Sequence, residues 1–228
     1  MFFIDKILVF LNWVRTAFPS RNDFGKCGTK VLIDYPLTIE KPNNVFIGNY
    51  VYLRDGVRIL NADYEEVTIK DYCVISSNVT ISPNSHVSTV GVPQTILGSS
   101  HVNDKSGNLT IEEDCWIGTG ATLLYGANLG RGCIVGAGAV VTKPVPPYAV
   151  VAGCPAKIIS VKFSSEQILE HERSLYPKDK RLTSVQIQSL FSDYFEGLKI
   201  YGKSSDMTSK DKMKLKLTMD KWGYEPNK

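Results

Sequence analysis

Aliphatic residues recur at every sixth position through the middle of the chain: Ile111, Ile117, Leu123, Leu129, Val135 and Val141 follow one another without a slip. Four residues after each of the first five stands a small one, Cys115, Ala121, Ala127, Cys133 and Ala139. Glycine follows the aliphatic residue in Ile117-Gly118, Leu129-Gly130 and Val135-Gly136. An earlier block keeps the period with Ile69, Ile75 and Ile81, and another with Ile47, Leu53 and Ile59; Ile33 and Ile39 open the series. Cys73, Val79, Val51 and Val57 fill the small slot in those blocks. The phase shifts around Lys41 to Asn44 and Asn61 to Glu66, which marks insertions, and the repeat breaks after Ile81 into a loop that runs to about Asn108.

This period excludes an α-helix, because six residues turn a helix by about 600° and would put successive aliphatics on different faces. Short strands joined by tight corners accommodate it: the aliphatic residue points inward, and Gly or Asn at the corner takes backbone conformations closed to bulkier residues. The hexads therefore predict a mainly β coil over 29–160, with a loop excursion at 82–108, in which each turn is stable only on its neighbours. Residues 1–28 are expected to form an N-terminal helical segment. Its stretch from Phe2 to Phe18 reads as an amphipathic helix that packs on the coil or makes peripheral contact with a membrane through residues 2–18. A C-terminal helical extension is predicted over 161–228. Within it Ser164 to Leu175 and Thr183 to Tyr201 read as helices, opened by the capping-box pairs Ser164/Gln167 and Thr183/Gln186. Met213 to Trp222 alternates apolar residues and Lys and fits a strand as well as a helix.

Composition narrows the picture. The 228 residues are 43% hydrophobic with a formal charge of +3, enough apolar content for a core and too little charge clustering for a nucleic-acid partner beyond the Lys-rich stretch from Lys203 to Lys216. Cys27, Cys73, Cys115, Cys133 and Cys154 are odd in number and form no CxxC pair, which argues against a disulfide framework or a zinc site and for a reducing, cytoplasmic setting. Cys73, Cys115 and Cys133 occupy the small slot and are read as structural. No apolar run approaches the roughly 20 residues of a membrane span. The first segment lacks the basic start and small-residue cleavage site of a secretory signal.

The segment LTIEEDCWIGTGATLLYGANLGRGCIVGAGAVVTKPVPPYAVVAGCPAKII, Leu109 to Ile159, resembles the hallmark of the hexapeptide-repeat acyltransferases. Its WIG, GAGAVVTK, PPYAVVAG and PAK elements stand in the order of the galactoside, maltose, streptogramin and polysaccharide O-acetyltransferases. The resemblance implies a left-handed parallel β-helix with three hexads per turn, a homotrimer, acetyl-CoA as co-substrate with no metal required, and a sugar or glycoside acceptor.

Acyl transfer to an alcohol needs a base for the hydroxyl proton, and histidine has the suited pKa. Of three histidines, His86 stands where the coil breaks into the excursion, the place of the catalytic histidine in the resembling enzymes, and is the expected general base. His101, later in the same loop, is the reserve. His171, in a helical stretch with acidic neighbours, reads as a surface residue. The resemblance places cofactor-binding positions at Gly118, Thr119, Ala137, Thr142, Lys143 and Lys157, with a backbone N–H near Gly118 or Thr119 meeting the oxyanion and Lys143 and Lys157 meeting phosphates. The family often carries an Arg three residues after the PAK lysine; Ser160 stands there, with Lys162 nearby. Pro146 and Pro147 are expected to end the coil. Asp63, Asn84 and Ser85 are the candidate acceptor-binding residues. Direct attack without an acyl-enzyme is expected, since no cysteine has an activating setting. Transfer to an amino sugar or other amine, a metal-dependent hydratase on the same coil, and a non-catalytic scaffold are the competing readings. The hydratase would require three converging histidines, which the spacing of His86, His101 and His171 does not provide.

Overall fold

The computed structural model describes residues 2–203 and 207–225; the part of the Lys203 to Lys216 stretch at 204–206 lies outside the described residues. Helix α1 (Phe2–Ala17) leads into a stack of two- to four-residue strands that visit three parallel sheets in strict rotation. The first sheet holds Lys26–Cys27, Val45–Ile47, Val67–Ile69 and Leu109–Ile111. The second runs from Leu32–Ile33 through Tyr52–Leu53, Val74–Ile75, Trp116–Ile117 and Ile134–Val135 to Ala149–Ala152. Thr38–Ile39, Arg58–Ile59, Thr80–Ile81, Thr122–Leu123 and Val140–Val141 make the third. Chain order crossing three sheets whose strands pair in parallel from Lys26 to Ala152 defines a three-sided coil.

Register follows the six-residue pattern. Leu53 pairs with Ile75, Ile75 with Ile117 and Ile117 with Val135 on one face, while Ile59, Ile81, Leu123 and Val141 pair in sequence on another. Ile117, Leu123 and Leu129 are all buried in one cluster, joined by the small-slot residues Cys73, Val79, Cys115, Ala121, Ala127, Cys133 and Ala139. Each fully buried aliphatic side chain contributes about 1.5–3 kcal/mol, and a single coil cannot bury its own set. The three structural cysteines stack within this interior, with the Cys115 and Cys133 sulfurs 3.6 Å apart.

All the insertions emerge from one corner, where the third sheet returns to the first. There the N–H of Glu40 donates to Ile59, Leu60 to Ile81, Ser82 to Leu123 and Leu124 to Val141, so the residues that open each departure are stacked rung on rung. Residues 41–44, 61–66, the 82–108 excursion and 142–145 thus share one edge of the prism. Asn61, fully buried, secures the second of these by pairing its amide with both backbone groups of Lys41, at 3.0 and 3.2 Å.

The structure departs from the sequence reading in four places. The coil begins at Lys26, a rung edge earlier than 29. Pro146 and Pro147 do not end it: Ala149–Ala152 still pairs in parallel with Ile134–Val135, and Lys157–Val161 then turns back antiparallel. The prolines are tolerated because they form a corner and pack on Gly130, where a Cβ would lie 2.4 Å from the Pro147 nitrogen. The predicted helix Thr183 to Tyr201 stops early. Helix α4 (Ser184–Leu190) passes into a π-turn at Phe191–Phe195, Gly197 takes φ +72°, and Ile200 bridges in parallel to Val161. A backbone partner on the coil won over continued helix, since a buried edge leaves donors that must be satisfied. Finally, His171 is not a free surface residue, because its Nε2 lies 2.9 Å from the Asp114 carboxylate.

The remaining helices are α2 (Gln94–Ser100) in the excursion, α3 (Ser165–Leu175) after the coil, and α5 (Ser209–Trp222), which resolves the ambiguous segment as helix. Both capping boxes are formed, at Ser164/Gln167 and Thr183/Gln186. Extension and coil are locked at Glu172, a buried carboxylate on α3 that accepts from Tyr148 Oη at 2.7 Å, Arg131 Nη1 at 3.1 Å and the Leu182 N–H at 2.9 Å. Tyr148 reaches it across Gly132, where φ is +70° and a Cβ would fall 2.7 Å from the ring, so only glycine fits. On α1, Ala17 packs down and its carbonyl accepts from Leu37, but Phe10, Leu11 and Trp13 remain exposed. No helix among the described residues is long and apolar enough to cross a membrane.

Candidate active site

The excursion is closed at its neck by an antiparallel pair, with Asn84 opposite Ser106 and Ser85 opposite Lys105. One step further along this register, His86 faces Asp104. Its Nδ1 lies 2.9 Å from Asp104 Oδ2, and His101 Nδ1 lies 3.0 Å from the same oxygen, with the two rings 5.7 Å apart. Partial burial would raise the Asp104 carboxyl, but the hydrogen bonds and charges of His101 and His86 outweigh it and hold the group below the usual carboxylate range. Asp104 is therefore an acceptor at neutral pH, and each Nδ1 carries the donated proton. With Nδ1 turned to the carboxylate, Nε2 is the ring nitrogen that faces away from it, the position a base uses.

Asp104 joins the candidate site through this contact and is absent from the expectations drawn from the sequence. It lies 18 residues from His86 with no motif between them, and only the neck register brings the two together. The same neck brings two of the three histidines together: His86 and His101 converge with Asp104, their ligand-type atoms all within 4.8 Å, a spacing a cation could use. His171 is not among them; it and Lys162 Nζ, the latter at 2.6 Å, both bind Asp114. Burial would raise Asp114, but the His171 hydrogen bond and the Lys162 charge hold its carboxyl below the usual range.

The acceptor candidates divide. Asn84 and Ser85 form the neck itself, and Asn84 Nδ2 donates to the Leu60 carbonyl at 3.3 Å, tying the excursion to the insertion below. Asp63 is exposed on that insertion and ion-pairs with Lys41.

The cofactor candidates divide as well. Thr142, Lys143 and Lys157 line one surface cavity of about 570 Å³, joined there by Leu190 and Tyr194 from the extension, which the sequence reading did not assign to a site. Thr142 and Lys143 leave the coil from the same edge as the His86 excursion, two rungs on, about 10 Å along the axis. Gly118, Thr119 and Ala137 sit instead at the corner after the second sheet, where the Gly118 N–H donates to the Val135 carbonyl at 2.7 Å and is not available to a ligand. A Cβ on Gly118 would lie 2.6 Å from the Ala137 nitrogen, so these residues are close to each other but on a different edge from His86. One chain does not gather the whole predicted set. Ser160 is buried and its hydroxyl donates to the Lys199 carbonyl, so neither it nor Lys162 is directed to the Lys143–Lys157 cavity as a free cation or donor.

The family model described as the hexapeptide repeat of succinyl-transferase matches residues 108–143. The chain is 31% identical over 139 residues to the Saccharomyces cerevisiae protein YJL218W, named as a candidate acetyltransferase, covering 61% of this chain and 67% of that one. It is 29% identical over 167 residues to galactoside O-acetyltransferase of Escherichia coli, covering 71% and 72% of the two chains. Among solved structures, the hexapeptide-repeat acetyltransferase VCA0836 of Vibrio cholerae, complexed with acetyl-coenzyme A, superimposes with a TM-score of 0.58 at 24% identity over 68% of this chain and 85% of that one, a likeness of fold.

Proposed function

Since the chain belongs to the hexapeptide-repeat acetyltransferases, we propose that it moves an acetyl group from acetyl-CoA to a hydroxyl of a sugar, with His86 as general base. The observation that carries this reading is the His86–Asp104 pair at 2.9 Å on the edge that also bears Lys143. Nε2 of His86 takes the proton of the acceptor hydroxyl as its oxygen attacks the thioester carbonyl. The C–S bond then breaks, the acetyl group passes to the sugar oxygen, and the imidazolium returns its proton to the departing CoA thiolate. Asp104 holds the tautomer and stabilises the transient imidazolium. With the Gly118 N–H engaged in the coil, the oxyanion donor is the N–H of Thr119. Lys143 and Lys157 hold the coenzyme's phosphates, and Asn84, Ser85 and Asp63 face the acceptor.

The coil is left-handed and the enzyme a homotrimer in the cytoplasm. The division of candidates between two prism edges supports the trimer, since a threefold assembly sets one edge of a subunit against a different edge of its neighbour and unites Thr119 with His86 across the interface. The exposed Phe10, Leu11 and Trp13 support peripheral membrane contact by α1.

The test is a thiol-release assay with acetyl-CoA across sugar and amine acceptors, on the wild type and His86→Ala. Turnover on sugars, with kcat lowered about 10²- to 10⁴-fold by the substitution, is expected. Turnover on amines alone moves the acceptor class to an amino sugar. Unchanged turnover in His86→Ala removes the base, and CoA binding without any turnover favours a scaffold.

A further inference from the structure

The cavity that gathers Thr142, Lys143 and Lys157 has a second wall, made of Leu190 and Tyr194. Both come from the C-terminal extension and not from the repeat. Tyr194 lies in the π-turn that ends α4, a geometry that widens one turn of the helix. Phe195, the next residue, is buried on the coil, and the Tyr194 and Phe195 rings lie 6.3 Å apart, so Phe195 anchors the turn while Tyr194 stays 49% exposed at the cavity. An exposed aromatic ring and an aliphatic side chain facing two ammonium groups match a purine ring carrying phosphates.

The placement of Ser160 gives the same wall a reason. Its hydroxyl is bound to the Lys199 carbonyl and Val161 bridges to Ile200, so the extension runs over the position from which the family's Arg would project. Lys162, the other cation nearby, is fixed on Asp114.

We propose that the C-terminal extension completes the coenzyme site, with Tyr194, supported by Leu190, stacking on the adenine of CoA and setting the preference for a nucleotide-bearing donor. This rests on the reading of Lys143 and Lys157 as the phosphate end of the coenzyme groove. Tyr194 is a specificity residue, remote from the reacting atoms. Its effect falls on donor selection and not on the acetyl-transfer step.

The experiment compares kcat/KM for acetyl-CoA with that for S-acetyl-pantetheine, which carries the same thioester without the nucleotide, in the full-length wild type, Tyr194→Ala and Tyr194→Phe. Wild type should prefer acetyl-CoA strongly. Tyr194→Ala should reduce that preference about tenfold, the scale of losing one base-to-aromatic stack, and Tyr194→Phe should restore it, because the ring and not the hydroxyl carries the contact. A preference unchanged in Tyr194→Ala, or one lowered equally by Phe, overturns the inference while leaving the groove reading intact. A wild type that does not distinguish the two donors overturns the groove reading itself. A melting temperature for each variant separates these outcomes from loss of fold: a fall in both donors' kcat/KM in step with destabilisation also counts against a stacking role.

Discussion

Glu172 is the fastening between the extension and the coil, and Glu172→Ala measures how strong it is. The carboxylate is 1% exposed and accepts three hydrogen bonds, from Tyr148 Oη, Arg131 Nη1 and the Leu182 N–H. Breaking a buried ion pair by removing one partner costs about 3–5 kcal/mol. Arg131 keeps the Glu113 carboxylate at 3.4 Å and the Lys180 carbonyl at 2.8 Å and still lies over the Tyr176 ring at 4.2 Å, which places its share at the low end of that range. Tyr148 has no such reserve: its side chain is fully buried, and an unsatisfied hydroxyl there costs about 1–3 kcal/mol more. The sum is about 4–6 kcal/mol, to be compared with a total stability of about 5–15 kcal/mol for a domain. The loss should be local, because the coil below has its own continuous core, so α3 and α4 are expected to open while the strands stay closed. Hydrogen exchange read by mass spectrometry should show faster exchange in peptides spanning 165–190 and unchanged protection across 111–141. Tyr148→Phe should cost about 1–1.5 kcal/mol alone, and Glu172→Ala should cost less on that background, by a coupling of about 1 kcal/mol or more. An alanine variant within about 1 kcal/mol of wild type, or exchange that rises equally in coil and extension, refutes the idea that this carboxylate is the lock.

Other perturbations read other parts of the structure. Asp104→Asn replaces an acceptor oxygen by a group that can donate and removes the charge facing His86; kcat should fall about tenfold to a hundredfold, the worth of a hydrogen bond of about 1.5–3 kcal/mol to a charged group, with KM for acetyl-CoA little changed, and equal kcat in steady-state assays contradicts its positioning role. Asp114 has a depressed folded pKa, so its contribution to stability is present above the unfolded value of about 3.9 and is withdrawn as pH falls through the folded one; thermal melts between about pH 2 and 6 should show Asp114→Asn with a flatter acid limb than wild type. In the interior column Cys115→Leu should lower stability by about 1–3 kcal/mol or more through overpacking, whereas Cys115→Ala should stay within about 1.5 kcal/mol, and a melting temperature for Leu equal to wild type counts against a filled small slot. Thiol titration of the native protein should modify exposed Cys154 first, half-buried Cys27 slowly, and Cys73, Cys115 and Cys133 only on unfolding.

The interior of the coil was legible before any folding was known. A six-residue recurrence of Ile, Leu and Val with a small residue four places on has one solution in short strands, and each position carries its own evidence because each side chain must be buried in register with those of its neighbouring rungs. Local chemistry was equally legible at the helix starts, where Ser164/Gln167 and Thr183/Gln186 need only residues three apart. His86 was marked by its place at the break of the repeat. The rest came from contacts between residues distant in the chain. Asp104 meets His86 through the register of the loop's neck, Tyr194 comes to line one cavity with Lys143 while Phe195 beside it is buried in the core, and Glu172 meets Tyr148 across the coil's last corner. None of these pairs leaves a period or a motif, since a single polar contact between remote segments constrains two residues and no pattern. The same holds for the split of the cofactor candidates between two edges: hexads specify that a corner exists, and only counting corners in the folded prism shows which residues share one.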